Sequence, residues 1–304
     1  MVFMGIWRIA LPFLALTALS GCASTTGEQA KGAQKLDVAA AFYPLQFVTE
    51  RVGGARVAVR SLTKPGTEPH DVELTPKDVA AVQDADLLVY LSKFQAQVDD
   101  AAAKATSDRR LDVASATYVD MLVGAAGDDN APRDPHFWLD PLSLGKVAVA
   151  VAERLSAIDP GGKAAYATAA ATLTTELDQL DADFTAGLQN CAGRNLVTAH
   201  SAFGYLARRY SLTQVGIAGL NAEAEPTAAD QARAVAFART HNVKTIFTEP
   251  LVSDAIAESV ANEIGGRTAV LDPVEGSTAK SRGSDYLQVM RSNLAALRIG
   301  LVCP

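Results

Sequence analysis

The stretch GGKAAYATAAATLTTELDQLDADFTAGLQN, residues 161–190, decides the architecture. Its larger apolar residues fall at positions 166, 173, 177, 180, 184 and 188, and Ala170 completes steps of three or four. That spacing lays one apolar stripe along an amphipathic helix. From Gly162 to Asn190 such a helix is about 43 Å long at 1.5 Å per residue, enough to run the length of two α/β lobes. A helix in this place, where a flexible Gly/Ser linker would otherwise stand, predicts lobes held at a nearly fixed angle.

On both sides of it, short β-rich runs alternate with helical segments, the pattern of parallel sheets built from βα units. Before it, strands are predicted over LDVAAAF (36–42), ARVAVRSLT (55–63), DLLVYLS (86–92) and RLDVAS (110–115). The helix TPKDVAAVQDA among them opens with a proline at its first position. After it, NLVTA (195–199), LTQVGIAG (212–219), VKTIFTE (243–249) and TAVLDPV (268–274) form a second series. Its helices include TAADQARAVAFARTHN and SDAIAESVANEIGG, the latter closed by Gly-Gly. The expected fold is α/β, with a parallel sheet flanked by helices in each lobe: residues 36–160, the connecting helix 161–190, and residues 191–304. A chain of 304 residues with 49% apolar and 20% charged residues suits two modest domains and excludes a disordered or collagenous protein.

The opening MVFMGIWRIALPFLALTALSGCAS carries one arginine, Arg8, then an apolar run from Ile9 to Leu19, then small residues up to Cys22. This is a secretory signal, too short for a membrane span, expected over residues 1–21. Its ending, Leu19-Ser20-Gly21-Cys22, resembles the bacterial lipobox, which makes Cys22 the lipidated first residue and residues 22–35 a lipidated terminus and polar tether. An ordinary cleaved signal with an incidental cysteine is the alternative. Losing residues 1–21 removes Arg8 alone, so the formal charge moves from −7 to −8. An acidic body of this kind is no partner for nucleic acid. Cys191 and Cys303 remain, and an exported location permits one disulfide between them, with two free buried thiols as the alternative.

The chain has four histidines. His70, in EPHDVELTP, and His136, in RDPHFWLDP, follow predicted strands of the first lobe, and His200 follows NLVTA in the second. Open α/β sheets place ligands at the carboxyl ends of their strands. One such histidine reads as a buried, hydrogen-bonded core residue. Three at strand ends, two of them in Pro-His contexts, read instead as a metal shell, and three imidazoles with one oxygen suit tetrahedral zinc. The oxygen is expected from the second lobe, with Asp272 in AVLDPVEG as first choice and Glu249 in IFTEPLVS as second. Glu68 is a third candidate, better placed to hydrogen-bond a ligating histidine. His241 precedes its strand at the opposite end and reads as a solvated helix-end residue.

With these motifs in hand, PHDVELTP, DPHFWLDP, TAHSAFGYL, FTEP and LDPVEG, the chain resembles the solute-binding lipoproteins of zinc and manganese ABC transporters over residues 36–304. The resemblance implies a single long helix joining two α/β lobes. It also implies a metal in the cleft held by His70, His136, His200 and Asp272. Manganese-binding relatives usually carry glutamate at the third position; His200 here moves the preference toward zinc. Many zinc relatives carry a His-rich loop before the DPH motif. The corresponding VGAAGDDNAPRD has none, leaving Asp128, Asp129 and Asp134 as weak cation attractors.

The expected function is capture of Zn²⁺ outside the cytoplasmic membrane and delivery to an ABC permease and its ATPase by a lipid-anchored monomer. The Zn²⁺ is cargo and not a catalytic cofactor. A manganese- or iron-binding homologue is one alternative. An exported zinc hydrolase is another, since three histidines with an open position also serve metal-dependent hydrolysis, although no HExxH or nucleophile motif is present. A lipoprotein adhesin is a third reading, for which the sequence offers little either way.

Overall fold

The first sheet is made by β1 (Leu36–Ala40), β2 (Val57–Ser61), β3 (Leu87–Tyr90) and β4 (Arg110–Asp112), all parallel, in the order β2-β1-β3-β4. The second repeats the arrangement with β5 (Asn195–Thr198), β6 (Thr213–Gly216), β7 (Thr245–Thr248) and β8 (Arg267–Val270), ordered β6-β5-β7-β8. The central strands β3 and β7 are buried at every residue, as strands covered on both faces by helices must be. The computed structural model describes residues 1–2, 35–114, 133–276, 278 and 280–304, and Lys35–Pro304 forms one unit. Nearly all of the expected signal, Cys22 and nearly all of its tether lie outside the described residues, as do Asp128 and Asp129.

The helices are α1 (Tyr43–Gly53), α2 (Pro76–Asp84), α3 (Ala96–Ala102), α4 (Pro141–Ile158), α5 (Lys163–Leu188), α6 (Gly204–Arg209), α7 (Ala228–Thr240), α8 (Ala255–Glu263) and α9 (Tyr286–Gly300). Their starts are written in the sequence. Thr75 and Thr227 close capping boxes with Asp78 and Asp230, and Asp140 caps α4 ahead of Pro141.

The connecting helix α5 buries Tyr166, Ala170, Leu173, Leu177, Leu180, Phe184 and Leu188, the predicted stripe position for position. Its 26 residues give a rod about 39 Å long. It packs against α1 and α4 on the first lobe and α9 on the second. Arg51 of α1 reaches Glu176 at 2.6 Å, and Arg209 of α6 pairs with Asp181 and, at 3.3 Å, with Asp140 at the head of α4. One apolar core therefore runs from Val38 and Leu88 through Leu144, Leu173 and Leu180 to Leu206 and Leu297, while a smaller cluster around Val197, Ile246 and Val260 lies in the second lobe. Just past α5, Cys191 is bridged to Cys303 beyond the end of α9.

Candidate metal centre

Each chemistry-bearing loop leaves the carboxyl end of a strand. After β2 the chain runs through Glu68-Pro69-His70 to the cap of α2. Buried Gln95 holds this loop, donating from Nε2 to Pro69 O at 2.9 Å and to Thr63 Oγ1 at 3.1 Å. Glu68 Oε1 accepts the His70 backbone N–H at 3.2 Å. The sequence Asp134-Pro135-His136 repeats the device: Asp134 Oδ1 accepts His136 N–H at 2.9 Å and also ring Nδ1–H at 2.7 Å. A proline between acid and histidine leaves the acid free to cap the histidine two residues on.

In the second lobe, His200 follows β5 directly. Glu249, at the end of β7, accepts its backbone N–H at 3.0 Å and its Nδ1–H at 2.5 Å. Gly216 leaves room for this turn, because a Cβ there would meet Ser201 N at 2.7 Å and Ala218 O at 2.6 Å. A carboxylate can only accept, so at His136 and His200 Nδ1 carries a proton and Nε2 is the ring atom turned inward.

Those Nε2 atoms converge with that of His70 and with a carboxylate from the loop after β8, Glu275. The ligand atoms of all four residues lie within 4.8 Å of one another. His136 Nε2 is 3.3 Å from His70 Nε2, 3.4 Å from His200 Nε2 and 2.8 Å from Glu275 Oε1. Glu275 Oε1 is 3.5 Å from both remaining nitrogens. A tetrahedron with metal arms of 2.0–2.1 Å has edges of about 3.3–3.4 Å. Four of these five separations stand at or close to the edges that a four-coordinate zinc ion requires, and the fifth, His136 Nε2 to Glu275 Oε1, is at hydrogen-bond length.

The structure sets Glu275, and not Asp272, beside the imidazoles. Asp272 is buried, but its Oδ1 accepts the Val274 backbone N–H at 2.8 Å, and its own peptide is paired with Asn293 of α9, N–H to Oδ1 at 2.9 Å and Nδ2–H to O at 2.7 Å. It builds the turn that presents Glu275. Glu249, the second choice, has both oxygens engaged by His200 and orients that ring. Asp134 holds His136 in the same way, a role that its DPH setting could have disclosed. Glu68 lies against His70, with Oε1 4.0 Å from Nε2. His241, exposed at the end of α7, belongs to no such group among the described residues.

Burial and the charges of neighbouring groups compete in the electrostatics. Burial pushes the Glu68 carboxyl up to about 8, with the Glu275 charge adding to the effect. Burial also lowers the His70 imidazole. For His136 burial acts downward too, yet hydrogen bonds to Asp134 and Glu275 outweigh it and lift the ring to about 9. His200 is raised well above its ordinary value because Glu249 and Glu275 overcome its burial. Glu275 is held well below the carboxylate range: burial works against ionisation, but the surrounding imidazoles win. The imidazoles and Glu275 together hold protons in store, for which a cation bound at the same atoms would compete.

Two parallel α/β lobes on a rigid helix, with an N₃O cage drawn from both, define a metal-binding solute-capture protein. Residues 38–300 match the zinc-uptake complex component A family, a periplasmic component by its description. The high-affinity zinc uptake system protein ZnuA of Bacillus subtilis (strain 168) is 33% identical over 311 residues, covering 98% of this chain and 97% of that protein. Zinc-binding lipoprotein AdcA of Streptococcus pneumoniae (strain ATCC BAA-255 / R6) is 33% identical over 305 residues; the match covers 96% of this chain but 60% of AdcA. Among solved structures, the Zn(II)-bound ZnuA-like domain of S. pneumoniae AdcA superposes with a TM-score of 0.74 at 33% identity, covering 88% of this chain and 99% of that one. The laminin-binding protein Lmb of Streptococcus agalactiae, described as a bifunctional protein with adhesin and metal transporting activity, gives 0.78 at 32% identity over the same shares. The chain belongs to the zinc-uptake complex component A family. It is a zinc-binding component of metal uptake and not an enzyme.

Proposed function

We propose that the chain captures Zn²⁺ between its lobes through His70, His136, His200 and Glu275, and hands it to an ABC permease driven by its ATPase. The observation that carries this reading is the convergence of three imidazole nitrogens and one carboxylate oxygen, four of whose separations, 3.3–3.5 Å, match or lie close to the edges of a zinc tetrahedron. Three imidazoles favour zinc over manganese, which prefers six oxygens. Glu275 occupies the fourth position, so the shell offers no open site for an activated water, the requirement of a zinc hydrolase.

In this reading residues 1–21 are removed on export, Cys22 carries lipid, residues 22–35 tether the body to the outer face of the cytoplasmic membrane, and the protein works as a monomer. Helix 161–190 holds lobes 36–160 and 191–304 at a nearly fixed angle, so release requires the membrane partner to separate them or displace a loop. No helix among the described residues is long and apolar enough to cross a membrane. Calorimetry of the metal-stripped protein with Zn²⁺ and Mn²⁺, joined to elemental analysis, tests the reading. One tight zinc per chain that manganese does not displace is expected. A preference for manganese, or no tight site, would overturn it.

A further inference from the structure

The turn that delivers Glu275 is held in an unfavourable conformation. Val274 has φ 58° and is buried, in the left-handed region that a β-branched residue avoids. Among the described residues only one other β-branched residue has positive φ, Val302, which is exposed near the chain end. Strain of this kind persists only where the surroundings impose it. Two restraints do so here. The first is internal to the second lobe: Val274 N–H bonds to Asp272 Oδ1, and Asp272 is pinned to Asn293. The second comes from the first lobe, where the buried Trp138 indole donates Nε1–H to Pro273 O at 2.8 Å. Trp138 sits two residues from His136, its ring 5.2 Å from the imidazole and 5.0 Å from Phe42, so donor and ligand belong to one packed piece.

Building on the assignment of the cage above, we propose that Trp138 and Val274 couple separation of the lobes to withdrawal of Glu275 from the metal. While the lobes are together, the indole N–H holds the Pro273–Val274 peptide in its strained orientation and Glu275 reaches the cage. When the lobes part, that hydrogen bond is lost and Val274 relaxes toward negative φ. The peptide turns and carries Glu275 away from the imidazoles, so the ion loses its anionic ligand as the cleft opens. Trp138 and Val274 are positioning residues that act through Glu275.

The experiment compares the parent chain with Trp138→Phe, Val274→Gly and the double variant. It reads the rate at which a chelator strips zinc, and the visible bands of Co²⁺ bound in place of zinc. Those bands are strong in four-coordinate surroundings and weak in higher coordination. Trp138→Phe keeps a ring and removes the donor. It is expected to release zinc roughly tenfold faster, the scale of one hydrogen bond and one strained residue, with weakened Co²⁺ bands. Glycine adopts positive φ without strain, so adding Val274→Gly should restore the bands and bring the rate back to near that of the parent. Val274→Gly alone should slow release several-fold, since the turn no longer springs back. Unchanged rate and bands in Trp138→Phe, or no rescue in the double variant, overturns the coupling. Should Trp138→Phe fail to fold by circular dichroism, Val274→Gly alone decides: slower release supports the coupling and a parental rate sinks it. Absence of one tight zinc in the parent sinks the cage itself, whereas intact stoichiometry with unchanged rates sinks only the coupling.

Discussion

Two carboxylates three residues apart, Asp272 and Glu275, divide the work of one loop, and substitution separates them. Glu275→Gln removes the anionic ligand and is expected to weaken zinc binding more than about hundredfold, beyond the 10–100-fold typical of residues that orient ligands. Asp272→Asn keeps an acceptor for Val274 N–H and should cost about tenfold or less. Titration against a chelator of known affinity reads both, and the reverse order would return Asp272 to the metal. Protonation is the second property of single residues here. The folded-state value of His136 is raised, to about 9. In the metal-free protein it contributes stability that is complete below the unfolded value near 6.5 and is lost as pH climbs through about 9. Glu68 acts in the same direction, because burial raises its value and ionisation therefore costs stability as pH rises toward about 8. Zinc binding has the opposite slope. The ion must expel the stored proton, so affinity falls by about tenfold per pH unit for each proton displaced below that range. Melting curves from pH 6 to 9.5 should show the metal-free Tm declining while the increment added by zinc grows. A flat metal-free Tm with a constant increment would contradict the proton store.

Helix α5 is where local pattern and global architecture agree most closely. Its buried stripe follows the predicted spacing because 3.6-residue periodicity depends on nothing beyond the helix itself. Leu177→Ala, at a fully buried position of that stripe, is expected to cost 2–5 kcal/mol, with denaturant unfolding as the measure and about one zinc per chain retained. A cost below about 1 kcal/mol would mean that the rod is not what binds the lobes together. The strands were equally legible as apolar runs, although each is shorter than the run predicted for it; β4 stops at Asp112 and β8 at Val270, short of the predicted 115 and 274. Residues 271–274 form the turn ahead of Glu275, and Val274 is the reason it escaped sequence reading. A valine announces a strand, and nothing in its chemistry announces positive φ. The left-handed residue stands between Asp272 and Glu275, one position ahead of the glutamate. The three histidines needed no such knowledge, because their shared position at strand ends, two of them directly after proline, was enough to group them.

Across the whole molecule, the second lobe is tied back on itself by Cys191–Cys303, partners 112 residues apart in sequence. Backbone hydrogen bonds from Ala192 N to Val302 O and Gly193 N to Leu301 O reinforce the junction. Closing a loop of this length is worth up to about 4–5 kcal/mol in the chain-entropy account. Reduction is therefore expected to lower Tm by several degrees, at 2–4 °C per kcal/mol for a chain of this order. It should change zinc stoichiometry little, since neither cysteine touches a residue of the cage. An unchanged Tm after verified reduction would show that the native contacts around Cys303 suffice by themselves. The same bond has a topological consequence. Strands β5 to β8, helix α9 and the loops bearing His200, Glu249 and Glu275 all lie inside one covalent ring. A protease that cuts once anywhere between residues 191 and 303 opens the ring without releasing a fragment. The nicked chain would migrate as a single species until a reductant is added, and its cage could survive damage that would divide an unbridged relative in two.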